Sequence, residues 1–172
     1  MAQSGIQPDA SCSKAFQLIK QGVPNAIVDT FSFFDRDLSP AEDQEKLSAE
    51  LSAVDSKNLK KIVKFIIFKL HPEGKKIVVR HISKNIDYEE FIKMLPKDEC
   101  CWAIYDFAYE TPDGPRSKLV FVSWTPDTAK IKSKMMSASS KQALKSKFDG
   151  IHTEIQATDY DEISYETVLD KA

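Results

Sequence analysis

Three observations predict an α+β fold in which a central mixed β-sheet is sandwiched by α-helices. Two pairs of β-branched and aromatic runs flank turn clusters: IVKFIIFKL (62–70) with KIVVRHI (76–82), and CWAIYDFAYE (101–110) with KLVFVSW (118–124). Apolar stripes at helical spacing separate those pairs. The resulting order of helix, two strands, helix, two strands, helix, strand and helix, in a chain of 172 residues, fits one domain with helices on the faces of its sheet.

Taken in order, residues 8–20 place Ala10, Phe16, Leu18 and Ile19 at helical spacing, and Gly22 followed by Pro24 ends that helix. The segment Val23 to Lys60 is of another kind, an insertion of 38 residues where loops are usually short. It opens with the exposed-looking TFSFFDRD (30–37), which fits an anchor for a hydrophobic surface, a loop packed on the domain, a disordered stretch or a translated intron. Its second half reads as a short helix over about 40–54: Ser39 as cap, Pro40 at the first helical position, Glu42 closing a capping box, and Leu47, Leu51 and Val54 forming a stripe. The first hairpin follows, turning at His71-Pro72-Glu73-Gly74. A helix over 87–94 is marked by Tyr88, Phe91 and Ile92, with Pro96 as its stop. The second hairpin turns at Pro112-Asp113-Gly114-Pro115. Thr125-Pro126-Asp127 offers a capped start for a long helix that Gly150 is placed to end. Residues 151–157 read as a strand and 160–169 as a last, acidic helix.

The run Lys130 to Lys147 carries six lysines and no acid inside a chain of net charge −2, and this local surplus points to an anionic partner. Lys134, Lys141 and Lys145 recur at i, i+7 and i+11, while Met136, Ala143, Leu144 and Phe148 share a face suited to a core. A solvated surface helix is the plainer reading of the same pattern. Cys12, Cys100 and Cys101 make an odd count with no Cys-x-x-Cys, and the three histidines are scattered, so free thiols, no metal and no cofactor are expected. No apolar run approaches the roughly 20 residues that span a bilayer, and the N-terminal MAQSGIQPDASCSK lacks the order of a secretory signal. The expected location is therefore inside the cell.

Several motifs together resemble the cofilin and actin-depolymerising-factor family. They are Ser4-Gly5-Ile6, IVKFIIFKL, LPKDECCWAIYDFAYE, RSKLVFVSWTPDTAKIKSKMMSASSKQAL and GIHTEIQATDYDEISYETVL. The run from Arg116 to Leu144 is highly specific; IVKFIIFKL alone is weak. The resemblance implies a single actin-depolymerising-factor-homology domain over 1–172, interrupted by the 23–60 segment, and a monomer without enzymatic activity. It implies that the chain binds G-actin and F-actin, preferring the ADP form, severs filaments and promotes their disassembly. It further implies that Ser4, Gly5, Ile6, Lys132, Lys134, Met135, Ser139, Ser140 and Lys141 form the monomer-binding face, and that Arg116 and Lys118 belong to the filament face. Asp170 and Lys171 stand at the corresponding C-terminal end, without a further basic residue that some members carry, so a monomer-sequestering relative stays open as the alternative.

Ser4 is the expected phosphorylation site, for a LIM-type kinase where the host has one, because about −1.5 to −2 of added charge opposes an acidic partner. Phosphoinositide head groups are expected on Lys132, Lys134, Lys141 and Lys145. The resemblance places the chain in the cytoplasm and cytoskeleton and admits a nuclear pool. Two other classes are weighed against it. A thiol hydrolase using Cys100 or Cys101 lacks a nearby histidine in sequence, and a nucleic-acid binder lacks aromatic residues interleaved along the basic helix.

Overall fold

The computed structural model describes residues 6–24, 31–38, 40–52, 58–71 and 76–171. The elements are β1 (Gln7–Pro8), α1 (Ala10–Lys20), β2 (Val23–Pro24), α2 (Ala41–Ser52), β3 (Leu59–Lys60), β4 (Phe65–Leu70), β5 (Lys76–Ser83), α3 (Tyr88–Met94), β6 (Cys101–Thr111), β7 (Gly114–Trp124), α4 (Ile131–Lys145), β8 (Thr153–Ala157) and α5 (Tyr165–Lys171). Six strands form one mixed sheet in the order β1-β5-β4-β6-β7-β8, with β1 parallel to β5, β8 parallel to β7, and the remaining pairs antiparallel.

Side chains alternate across the pleat and divide the core into two layers. On one face Ile66, Phe68, Trp102, Ile104 and Phe121 pack against Phe16 and Ile19 of α1, Leu47 of α2 and Leu144 of α4. On the other, Phe65, Ile67, Tyr105, Phe107 and Val122 pack against Tyr88 and Phe91 of α3 and Val168 of α5. The sandwich expected from sequence is therefore present, with α1, α2 and α4 on one side and α3 and α5 on the other.

Segment 23–60 is built into this core. Its two ends are pinned by pairing of Val23 with Lys60 and Pro24 with Leu59. Gly22, at φ +123°, allows this approach, because a Cβ there would lie 2.8 Å from the Lys60 carbonyl carbon. Phe31 and Phe33 are buried, not exposed as the sequence suggested, and they stack edge to face at 5.2 Å. The stretch that follows lies along the outer edge of β5: Phe34 bridges Ile82, the Asp35 N–H donates to the Ile82 carbonyl, and the Leu38 N–H donates to the Arg80 carbonyl.

Between that stretch and β1, the side chain of Gln44 completes the edge. Its Oε1 accepts from the Val79 N–H at 3.1 Å and from the Ser11 hydroxyl, and its Nε2 donates to the Val79 and Leu38 carbonyls. One amide thus pairs with both backbone groups of Val79 as a neighbouring strand would. Residues 34–38 and Gln44 thus close a sheet edge that would otherwise offer unpaired backbone to other chains. Leu47 lies fully buried on the same helix. The cap at Ser39, the stripe position Val54 and the turn residues Pro72 to Gly74 lie outside the described residues; α2 itself begins at Ala41, with Pro40 accepting its first backbone bonds.

Other boundaries differ from the sequence reading for identifiable reasons. Pro8 belongs to β1, and Asp9 caps α1 by accepting from the Ser11 N–H at 3.0 Å. The long helix begins at Ile131, not near Thr125, because the N–H groups of Thr125 and Asp127 are taken by the Ala157 and Thr158 carbonyls and continue the sheet. It ends at Lys145 and not at Gly150, since Phe148 must leave the helix to stack on Phe16 at 4.7 Å, and Gly150, at φ +92°, turns the chain into β8. The last helix is broken: a 3-10 turn at Asp161–Ile163 is followed by extended Ser164, whose hydroxyl accepts from the Thr167 N–H and starts α5.

Candidate functional site

The basic helix divides into two halves. In its N-terminal half Ile131 and Met135, one turn apart, are 75% and 67% exposed, a large apolar pair facing solvent. Lys132 beside them is exposed, and Lys134 is half-buried with its ammonium donating to the Asp127 carbonyl at 2.9 Å. Ser137, Ser140 and Leu144 line the buried face. In the C-terminal half Lys141 and Lys145 both bind Glu154 of β8, Lys141 at 2.8 Å, so they do not stand free as the spacing implied. Such an arrangement can orient an acidic partner by long-range attraction and can offer apolar contact area to a docked one.

The sequence-derived site residues therefore separate. Lys132, Lys134 and Met135 are brought together at the accessible end of α4, with exposed Ser139 one turn on. Two candidates need correction. Ser140 is fully buried because it sits on the face packed against the sheet, and Ile6 is 5% exposed because β1 carries it into the core. Ser4 and Gly5 lie outside the described residues. Ile131 was missed by the sequence reading, although its i, i+4 relation to Met135 was available as a signal.

Arg116 and Lys118 form a second surface. They lie on β7 opposite Tyr109 and Phe107, with the Lys118 ammonium 5.7 Å from the Tyr109 ring centre. The Tyr165 ring of α5 lies 5.0 Å from Phe107, so exposed Asp170 and Lys171 follow on the helix that flanks this surface. Because α5 packs on one face of the sheet and α4 on the other, the two candidate surfaces are separated by the sheet itself.

Burial pushes the thiols of Cys12 and Cys101 well above their ordinary range, and burial raises that of Cys100 against the opposing charge of Lys134. None is poised as a nucleophile. In native protein, a thiol reagent is expected to modify Cys100 alone until the chain unfolds; fast labelling of Cys101, read by mass spectrometry, would contradict its burial. Among the described residues no three His, Cys, Asp or Glu side chains are grouped to hold a metal, and no helix is long and apolar enough to cross a membrane.

Comparison with known proteins agrees with this fold. The family model described as "Cofilin/tropomyosin-type actin-binding protein" matches residues 41–172, from the first residue of α2 onward. The cofilin of Mycosarcoma maydis is 50% identical over 128 residues, covering 73% of this chain and 92% of that protein. The cofilin of Cryptococcus neoformans is 35% identical over 171 residues, covering 98% of this chain and 96% of its own, so that match runs across segment 23–60. The crystal structure of Streptomyces griseoflavus cofilin superposes with a TM-score of 0.71 at 36% identity, covering 96% of each chain. With the fold and these matches in agreement, the chain belongs to the cofilin and actin-depolymerising-factor family.

Proposed function

We propose that this chain is a non-enzymatic actin-binding protein of the cytoplasm and cytoskeleton that engages ADP-actin monomers and filaments, severs filaments and promotes their disassembly. The observation that carries the reading is the exposed Ile131–Met135 pair between Lys132 and Lys134, an apolar contact inside a positive rim at the free end of a helix anchored by Leu144 and Ser137. Arg116 and Lys118 supply a second basic surface, as a filament binder that touches two subunits needs. Phosphorylation of Ser4 by a LIM-type kinase and competition from phosphoinositide head groups at the α4 lysines are the proposed controls, and a nuclear pool is compatible with both.

Co-sedimentation with ADP-actin filaments tests this. Wild-type protein should pellet with filaments, and Lys132→Ala combined with Lys134→Ala should weaken binding at least about tenfold through lost steering and rim contacts. Full retention of binding by the double variant would remove the site. The alternative, a relative that sequesters monomers without severing, is separated by filament length under microscopy: shortening at substoichiometric protein supports severing.

A further inference from the structure

Glu154 projects from β8 to the C-terminal half of α4 and uses both carboxylate oxygens there. Oε1 accepts from Lys141 and Oε2 from Lys145, two lysines one helical turn apart. Hydrogen bonds from Lys141 and then Lys145 hold the Glu154 carboxyl below its usual range, so it stays ionised near neutral pH. Beside this clamp lies a cleft of about 360 Å³ between α4 and the ends of β7 and β8, walled by Lys134, Lys141, Ser123, Thr125, Gln156 and Thr158. Ammonium, hydroxyl and amide groups able to donate to an anion therefore border the same place.

We infer that Glu154 is a built-in competitor that makes this half of α4 selective for multivalent phosphate over singly charged lipid. The inference rests on the phosphoinositide reading above. A phosphate monoester carries about −1.5 to −2 charge and three strong acceptors, so a head group bearing two of them outbids one carboxylate for Lys141 and Lys145. A phosphatidylserine head group, with one net negative charge, offers these lysines nothing beyond what Glu154 already gives, and the carboxylate repels it. The clamp is reachable from solvent, because the side chains of Lys141, Lys145 and Glu154 keep 28%, 35% and 28% of their surface exposed.

Vesicle co-sedimentation tests the inference, with phosphatidylcholine vesicles carrying either polyphosphoinositide or phosphatidylserine at matched total charge. Wild-type protein should prefer polyphosphoinositide. Glu154→Gln should gain about tenfold on phosphatidylserine, from two released lysines, and no more than about threefold on polyphosphoinositide, which narrows the preference. Glu166→Gln on α5 makes the same change in net charge away from the clamp and should behave as wild type. A thermal melt confirms that the variants fold, and Glu154→Ala provides a second removal of the carboxylate. Preference retained in both Glu154 variants, or lost equally in Glu166→Gln, overturns the role of Glu154. Wild-type protein that follows total charge alone overturns the phosphoinositide reading itself.

Discussion

Gln44→Leu is expected to lower stability by about 3 kcal/mol or more, because it strands several buried partners at once at roughly 1–3 kcal/mol each. The Val79 N–H and carbonyl, the Leu38 carbonyl and the Ser11 hydroxyl all bond to this one amide, which is 2% exposed. Leucine fills similar volume, so the loss reports hydrogen bonding and not a cavity. Chemical denaturation read by tryptophan fluorescence measures it, since Trp102 lies in the core layer that contains Leu47. Replacing residues 25–57 by a short Gly/Ser linker should go further. It removes Phe31, Phe33, Leu38 and Leu47 from the core and bares the edge of β5, so loss of the folded monomer or aggregation is expected. A linker variant that folds and melts like the parent would show that the segment is decoration.

Ile131→Glu combined with Met135→Glu is expected to abolish filament co-sedimentation while leaving the melting temperature nearly unchanged. Both side chains are largely exposed, so the fold loses little. Binding loses an apolar anchor at the centre of the proposed contact and gains two charges of the partner's sign, for a cost of about 2–4 kcal/mol or more, near a hundredfold in Kd. Conservative Met135→Leu should retain most affinity. Undiminished pelleting of the double-glutamate variant would displace the contact from α4. A matching drop in stability would instead mean that the pair packs against the protein.

Much of the architecture was legible because its signals are local. Strand identity follows from runs such as FIIFKL and KLVFVSW, and helix α3 from the spacing of Tyr88, Phe91 and Ile92; the Asp87 carboxylate that accepts from the Glu89 N–H to cap it is added by the structure. Leu144 is buried as its helical spacing predicts, whereas Phe148 is buried beyond the end of the helix. Val23 and Lys60, the bounds the sequence reading gave to its unusual segment, are backbone partners. Errors fell where long-range bonds overrule local preference: residues 125–127 read as a helix start, yet the sheet claims their N–H groups.

The candidate site was legible by residue type and less so by availability. Six lysines in one segment announced an anionic partner, but a sequence does not show that Glu154, nine residues beyond Lys145, occupies two of them. Ser139 and Ser140 are adjacent and chemically alike, and only the packing of α4 exposes one and buries the other.

By itself, the sequence determined the α+β class, the two hairpins, the family and the basic helix, since each follows from periodicity, turn chemistry or a local motif. Tertiary structure alone decided that Gln44 completes the β5 edge, that Phe31 and Phe33 join the core, and that α4 is divided into a free and a clamped half. The physical reason is range: propensity and periodicity act within a few residues, whereas these features depend on contacts such as Gln44 with Val79, brought together only when the chain has folded.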